Sequence, residues 1–235
     1  MAALGRYLVF IALSICSMLN NASNTQCHHP SGTNYHMSYD ARDLILDMHN
    51  RKRQATAQGL YNNGCGCHRI PKAANILEMK YDCALEESAH AVASACSVAG
   101  TPEAELTKVN EGENFYVINT EYELLGSKTI AVSRAAEAWF EEITKTNINY
   151  HMLYNANFKR RPKSPKRWSQ MVWANSFRIG CEIGDCKERT IVVCRYSPKG
   201  NVYGQRVYQP GPAASACKEG PSSSYPSLCN FPIIV

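Results

Sequence analysis

Thr190-Ile-Val-Val-Cys194-Arg-Tyr196 runs straight into Ser-Pro198-Lys-Gly200-Asn201-Val202. The first seven residues are apolar enough for a central strand. Just upstream, Phe177, Ile179, Cys181 and Ile183 alternate with a period of two, which predicts a neighbouring strand. Gly184-Asp-Cys-Lys187 is the expected hairpin between them. Gln170 to Ala174 reads as a further strand. Still further out the period becomes helical. Ser38 is placed to cap a helix carrying Ala41, Leu44, Ile45 and Met48, with Asp40 and Asp43 in its first turn. Leu85, Ala89, Val92 and Cys96 predict a second helix, and Val132, Ala135, Ala136, Trp139, Phe140 and Ile143 a third. Gly112 to Ile118 reads as a turn entering a short strand. Helices framing a late antiparallel sheet imply an α+β layered fold.

The chain has 235 residues, 45% of them hydrophobic and 19% charged, with 13 tyrosines and 3 tryptophans. That composition excludes a disordered chain and suffices for one packed domain. Tyr7 to Leu19 is too short to span a bilayer, yet with Arg6 before it and small residues after it the run reads as a secretory signal at residues 1–23. No transmembrane segment is expected, and a secreted location excludes nucleic acid as a partner. Removing Cys16 from the 11 cysteines leaves an even set: Cys27, Cys65, Cys67, Cys83, Cys96, Cys181, Cys186, Cys194, Cys217 and Cys229. In an oxidising compartment these read as five disulfides, of open connectivity among about 945 pairings. The Cys65-Gly-Cys67 and Cys181/Cys186 spacings do not match a zinc-thiolate layout. One sequon, Asn21-Ala-Ser23, adjoins the predicted cleavage point. The expected organisation is a signal at 1–23, an N-terminal extension at 24–37, one domain at 38–209, and a Pro/Ser/Gly-rich tail at 210–235 tethered by Cys217 and Cys229.

Four segments together resemble the CAP superfamily of cysteine-rich secretory, antigen 5 and pathogenesis-related-1 proteins. Ile191 to Val202 is similar to that family's second signature, and Arg167-Trp-Ser-Gln-Met-Val-Trp173-Ala-Asn-Ser176 to its first. His49-Asn50-x-x-Arg53 is similar to the motif of the family's first helix, and Gly112-Glu113-Asn114 to its GEN turn. Ile70-Pro-Lys-Ala-Ala74, Met79-Lys-Tyr-Asp-Cys83 and the short two-cysteine tail look most like the nematode branch, the activation-associated secreted or venom-allergen-like proteins. The resemblance implies a three-layer α-β-α sandwich with a central cleft, and a non-enzymatic extracellular effector with an immunomodulatory role.

It also implies a cleft tetrad of two histidines and two glutamates able to hold a divalent ion. By position these are His90, Glu113 and Glu142, with Arg167 where the second histidine belongs. Guanidinium has five donors and no acceptor, so Arg167 is no ligand, and no metal or other cofactor is expected. Arg167 should instead pair with Glu113 and Glu142. His151, after the third helix, is an imidazole that could stand in. A hydrolase using His90, Glu113 and Glu142 is the alternative, but neither nucleophile nor oxyanion hole accompanies them.

Two surface features suggest partners. Tyr150, Tyr154 and Phe158 lie where some family members bind sterol, making sterol or fatty acid a candidate ligand. Lys159, Arg160, Arg161, Lys163 and Lys166 form a basic run suited to an anionic glycan, or to a host extracellular protein.

Overall fold

The computed structural model describes residues 25–29, 33, 35–64, 68–120 and 127–232; the leader, the Asn21 sequon, Cys65 and Cys67 lie outside the described residues. Helix α1 (Tyr39–Ala57) starts where Ser38 accepts a hydrogen bond from the Ala41 N–H through its hydroxyl. Strand β1 (Lys80–Tyr81) leads into α2 (Cys83–Ala93), capped by the Asp82 carboxylate. Then come α3 (Glu103–Lys108), β2 (Gly112–Ile118) and α4 (Lys128–Phe140), which tightens into a 3₁₀ turn over Glu141–Lys145. Two short helices, α5 (Ala156–Arg160) and α6 (Lys166–Met171), precede β3 (Arg178–Cys186) and β4 (Arg189–Ser197).

The strands form one sheet in the order β1-β3-β4-β2, antiparallel except for the short β1–β3 pairing. Because strand side chains alternate, its two faces carry different cores. Ile179, Cys181 and Ile183 pair with Tyr196, Cys194 and Val192, and all six join α1 and α4 in the larger core. Ile191 and Val193 face the other way, onto Ala89 and Ala93 of α2. The sheet is therefore covered on both sides, the α-β-α layering expected. Gly180 and Gly184 make the second layer possible. A Cβ on either would stand 2.3 Å from the backbone of α2.

Two sequence expectations fail locally. Gln170 to Ala174 is not a strand; its first two residues end α6 and the rest is a turn. The β3–β4 connection is Lys187-Glu188, two residues later than expected, with Glu188 at φ 68°. Four disulfides are described. Cys27–Cys83 ties the N-terminal segment to α2, Cys96–Cys186 joins the loop after α2 to the end of β3, Cys181–Cys194 crosses β3 to β4, and Cys217–Cys229 closes the tail. The tail packs on the body, with Cys229 donating its N–H to Ile76 O.

The loops between α1 and the sheet converge on Arg53. Its guanidinium is fully buried and donates to the carbonyls of Leu77, Met171, Trp173, Ala174 and Ser176 at 2.7–3.4 Å. One turn earlier Asn50 clasps Met79, donating to its carbonyl and accepting from its N–H. Arg53→Lys keeps the charge but cannot reach five carbonyls with three donors. We expect a loss of about 3 kcal/mol or more in urea unfolding, and a loss under about 1 kcal/mol would contradict this role.

Candidate functional site

A hydrogen-bonded line runs from α1 to the mouth of the cleft. His49 donates through Nδ1 to Ile45 O at 2.7 Å, so its Nε2 accepts from the Tyr196 hydroxyl at 2.9 Å. Asn114 of β2 donates from Nδ2 to that same hydroxyl and to Arg167 O. Three of the motifs singled out in the sequence thus meet at Tyr196. Gln170 of α6 sits against Gly112 and Gly200, where a Cβ on Gly112 would come within 2.1 Å of Oε1. A side chain at Gly112 would have to displace the Gln170 amide from this position.

Glu113 and Arg167 line one hollow of about 170 Å³ with Tyr154 and Lys166. Arg167 donates from Nη1 to Glu142 Oε1 at 2.9 Å, and the backbone N–H groups of Arg167 and Trp168 both point at Glu142 Oε2. Arg167 Nε goes to Phe115 O. Glu113 pairs instead with Arg195 at 3.2 Å and accepts from the Thr101 N–H and hydroxyl. The expected bridge of Arg167 between two glutamates is half realised.

His90 is elsewhere. Its Nδ1 lies 3.5 Å from Glu182 Oε2 and its ring stacks on Tyr35 at 4.0 Å, with His29 on the opposite face of that tyrosine at 3.5 Å. Nor does His90 pair with Glu86, its neighbour one turn back. Glu86 is fully buried and receives Arg42, Tyr81 and His29 at 2.6–2.7 Å. Cys27, His29 and Glu86 lie close enough together to hold an ion, but Cys27 is bonded to Cys83 and the Glu86 oxygens are taken. His151 is exposed and lines a separate cavity with Tyr150. The family's ion does not fit these residues: an arginine fills one ligand position, Glu142 is held by its own chain, and His90 faces a different carboxylate.

Glu182, Arg195 and Thr101 were not foreseen. Glu182 had a signal, as the one charged residue between Gly180 and Gly184 on the face that meets α2. Burial, then the neighbouring Glu86 charge, pushes its carboxyl up to about 7. Burial likewise drives His49 down to about 4, with the Arg53 charge acting the same way.

The surface candidates divide. Tyr154 and Phe158 are 3% and 2% exposed and pack in the core beside Trp173, while Tyr150 is 67% exposed. They form no common lipid surface. In the basic run, Lys159 is paired with Glu103, and Arg161 reaches Asn157 O and Thr146; Arg160, Lys163 and Lys166 are exposed.

Fold and site together define a disulfide-braced α-β-α sandwich with a cleft at one sheet edge. Residues 46–196 match the model of the CAP, or cysteine-rich secretory protein, family. The chain is 31% identical over 212 residues to an Ancylostoma secreted protein of Ancylostoma caninum, covering 89% of this chain and 48% of that one. It is 32% identical over 193 residues to Scoloptoxin SSD976 of Scolopendra dehaani, covering 80% and 83%. The solved structure of NaASP2 with Zn2+ superposes with a TM-score of 0.75 at 28% identity, over 86% of this chain and 100% of that one. The chain spans about half the length of the Ancylostoma protein. It belongs to the CAP family, whose relatives named here include secreted and venom proteins.

Glu182 and His49 set opposing pH dependences. Glu182, raised from 4.5 to about 7, contributes stability fully present below 4.5 and lost as the pH rises through 7. His49, lowered from 6.5 to about 4, contributes stability present above 6.5 and lost as the pH falls through 4. Glu182→Gln removes only the first. Relative to the unsubstituted protein, its stability should be poorer at about pH 5 than at about pH 8 by roughly 2–3 kcal/mol in urea unfolding. A difference independent of pH would refute the assignment.

Proposed function

We propose that this chain is a secreted, non-enzymatic effector that works outside the cell by binding. The observation that carries this reading is the engagement of both cleft glutamates by cations of the chain itself, Glu142 with Arg167 and Glu113 with Arg195. A carboxylate whose oxygens are already taken up by cations and N–H or O–H donors of its own chain has few lone pairs left with which to take a proton from a substrate. An immunomodulatory role at a host-parasite interface belongs to this proposal on the resemblance to the nematode branch alone; the likeness to the Ancylostoma secreted protein supports secretion.

Metal analysis of protein purified without chelator tests the reading directly. Zinc should be far below stoichiometric, and Arg167→His should not restore it, since His90 remains beside Glu182. Stoichiometric zinc, or zinc-dependent hydrolysis of an ester, would overturn the proposal.

Two binding modes separate by experiment. Sterol or fatty-acid carriage would have to do without Tyr154 and Phe158, so labelled cholesterol and palmitate should show no saturable binding at micromolar protein. Anionic-glycan binding retains an exposed trio. Replacing Arg160, Lys163 and Lys166 with glutamine should abolish most heparin retention at low salt, and unchanged retention would remove this mode.

A further inference from the structure

Away from the cleft, residues 150–154 and 205–209 lie side by side. Tyr154 N–H donates to Gln205 O, Val207 N–H to Met152 O, and Leu153 bridges Arg206. Between this pair of segments and Asn75 and Asn175 lies a cavity of about 690 Å³. A smaller hollow of about 220 Å³ shares both asparagines and continues the groove towards Leu77, Ala216 and Pro232. The volume of the larger cavity falls in the range of small-molecule sites, roughly 300–1,000 Å³.

Five of its nine lining residues carry planar amide or guanidinium groups. Asn75, Asn175, Gln205 and Gln209 each bring a planar amide, and Arg206 brings a planar guanidinium. Among the described residues, the amide groups of Asn175, Gln205 and Gln209 make no hydrogen bond, and Asn75 uses only its oxygen, accepting from Gln209 N–H at 2.8 Å. Arg206 is anchored by donating from Nη1 to His151 O at 2.8 Å. Tyr150 presents its ring at the rim with 67% of its surface exposed. The chain here is in an uncommon conformation. Met152, fully buried, has φ 55°, a left-handed turn that an unbranched residue adopts at a cost of about 1 kcal/mol or more.

We propose that this groove is an oligosaccharide-binding site, with Tyr150 stacking on a pyranose ring and the amides of Asn75, Asn175, Gln205 and Gln209 reading its hydroxyls. An amide offers a coplanar donor and acceptor, the pattern presented by two adjacent sugar hydroxyls, one accepting and one donating. The C–H face of a pyranose is apolar and flat enough for an aromatic ring. A metal ion would need carboxylates, which the larger cavity lacks, and the four amides and the guanidinium among its walls match sugar hydroxyls where an acyl chain would leave them unpaired. Arg206 and His151 additionally suit a sugar carboxylate, so neutral and acidic glycans share the site. This inference extends the reading of the chain as a binding protein, on a face that the zinc test does not probe.

The test is titration of the full chain, followed by NMR, with three probes: tri-N-acetylchitotriose, mannotriose and 3′-sialyllactose. At least one should bind saturably. Tyr150→Ala should weaken it about tenfold, and Asn175→Ala with Gln205→Ala should do so again. Tyr203→Ala, also exposed but outside the groove, should change nothing. Arg206→Gln should reduce sialyllactose binding alone if the carboxylate is read, and all three equally if it is not. Absence of binding by every probe at millimolar sugar, or binding that survives both the Tyr150 and the double amide substitution, would overturn the proposal. All these positions are exposed, so melting temperatures should be unchanged. A negative result here with zinc still absent would leave the non-enzymatic reading standing.

Discussion

A guanidinium held only by carbonyl oxygens stands at the centre of this molecule. Arg53 has no carboxylate partner among its described contacts, and burial lowers its pKa to about 9 while leaving it charged at neutral pH. Such a charge is tolerable only because five carbonyls from two separate loops converge on it. The dependence is mutual. Residues 172–176 and Leu77 form no regular strand or helix; the Trp173 and Ala174 carbonyls also accept from the Ser176 and Leu77 N–H groups, whereas among the described residues the carbonyls of Leu77, Met171 and Ser176 have Arg53 as their donor. The same loop follows α6, so the placement of Gln170 and Arg167 at the cleft depends on a residue of α1 far from it.

That scaffold explains why the cleft is closed from within. Once α6 is pinned, the N–H groups of Arg167 and Trp168 at its start both face Glu142, and the Arg167 side chain completes the enclosure. The side-chain pair is half exposed at Arg167, so it adds little stability by itself, of the order of 1 kcal/mol or less. Its effect is on chemistry. A carboxylate receiving two backbone donors and a guanidinium has few lone pairs left for an ion or a water.

Legibility in the sequence followed the range of the interactions. Ser38, the α1 and α4 stripes and the β3 alternation are local patterns, and each appears where it was read. Met171-Val172-Trp173 misled because a short apolar run looks alike in a strand and in a buried turn, and only Arg53, over a hundred positions away, decides. The β3–β4 turn slipped because Gly184 is used for contact with α2 and not for turning. His90 was assigned to the cleft by position along the chain. Its real partners, Tyr35 and Glu182, come from the N-terminal segment and from β3, and no spacing rule connects them. Tyr154 and Phe158 fit a ligand surface and a core contact equally well, since helical periodicity does not state which side faces water.

The two carboxylates under α2 show why the N-terminal segment matters to the fold. Glu86 and Glu182 are both fully buried between α2 and β3, and each charge raises the cost of the other. They are resolved asymmetrically. Glu86 gathers Arg42, the Tyr81 hydroxyl and His29. Glu182 has two backbone N–H groups, from His36 and Ile183, on one oxygen, while the other oxygen lacks a hydrogen bond. Two of these donors, on His29 and His36, belong to the segment that Cys27–Cys83 fastens to the start of α2. The disulfide therefore does more than shorten the unfolded chain. It keeps in place the ring stack and the hydrogen-bond donors that make two buried acids compatible with a single helix–sheet interface.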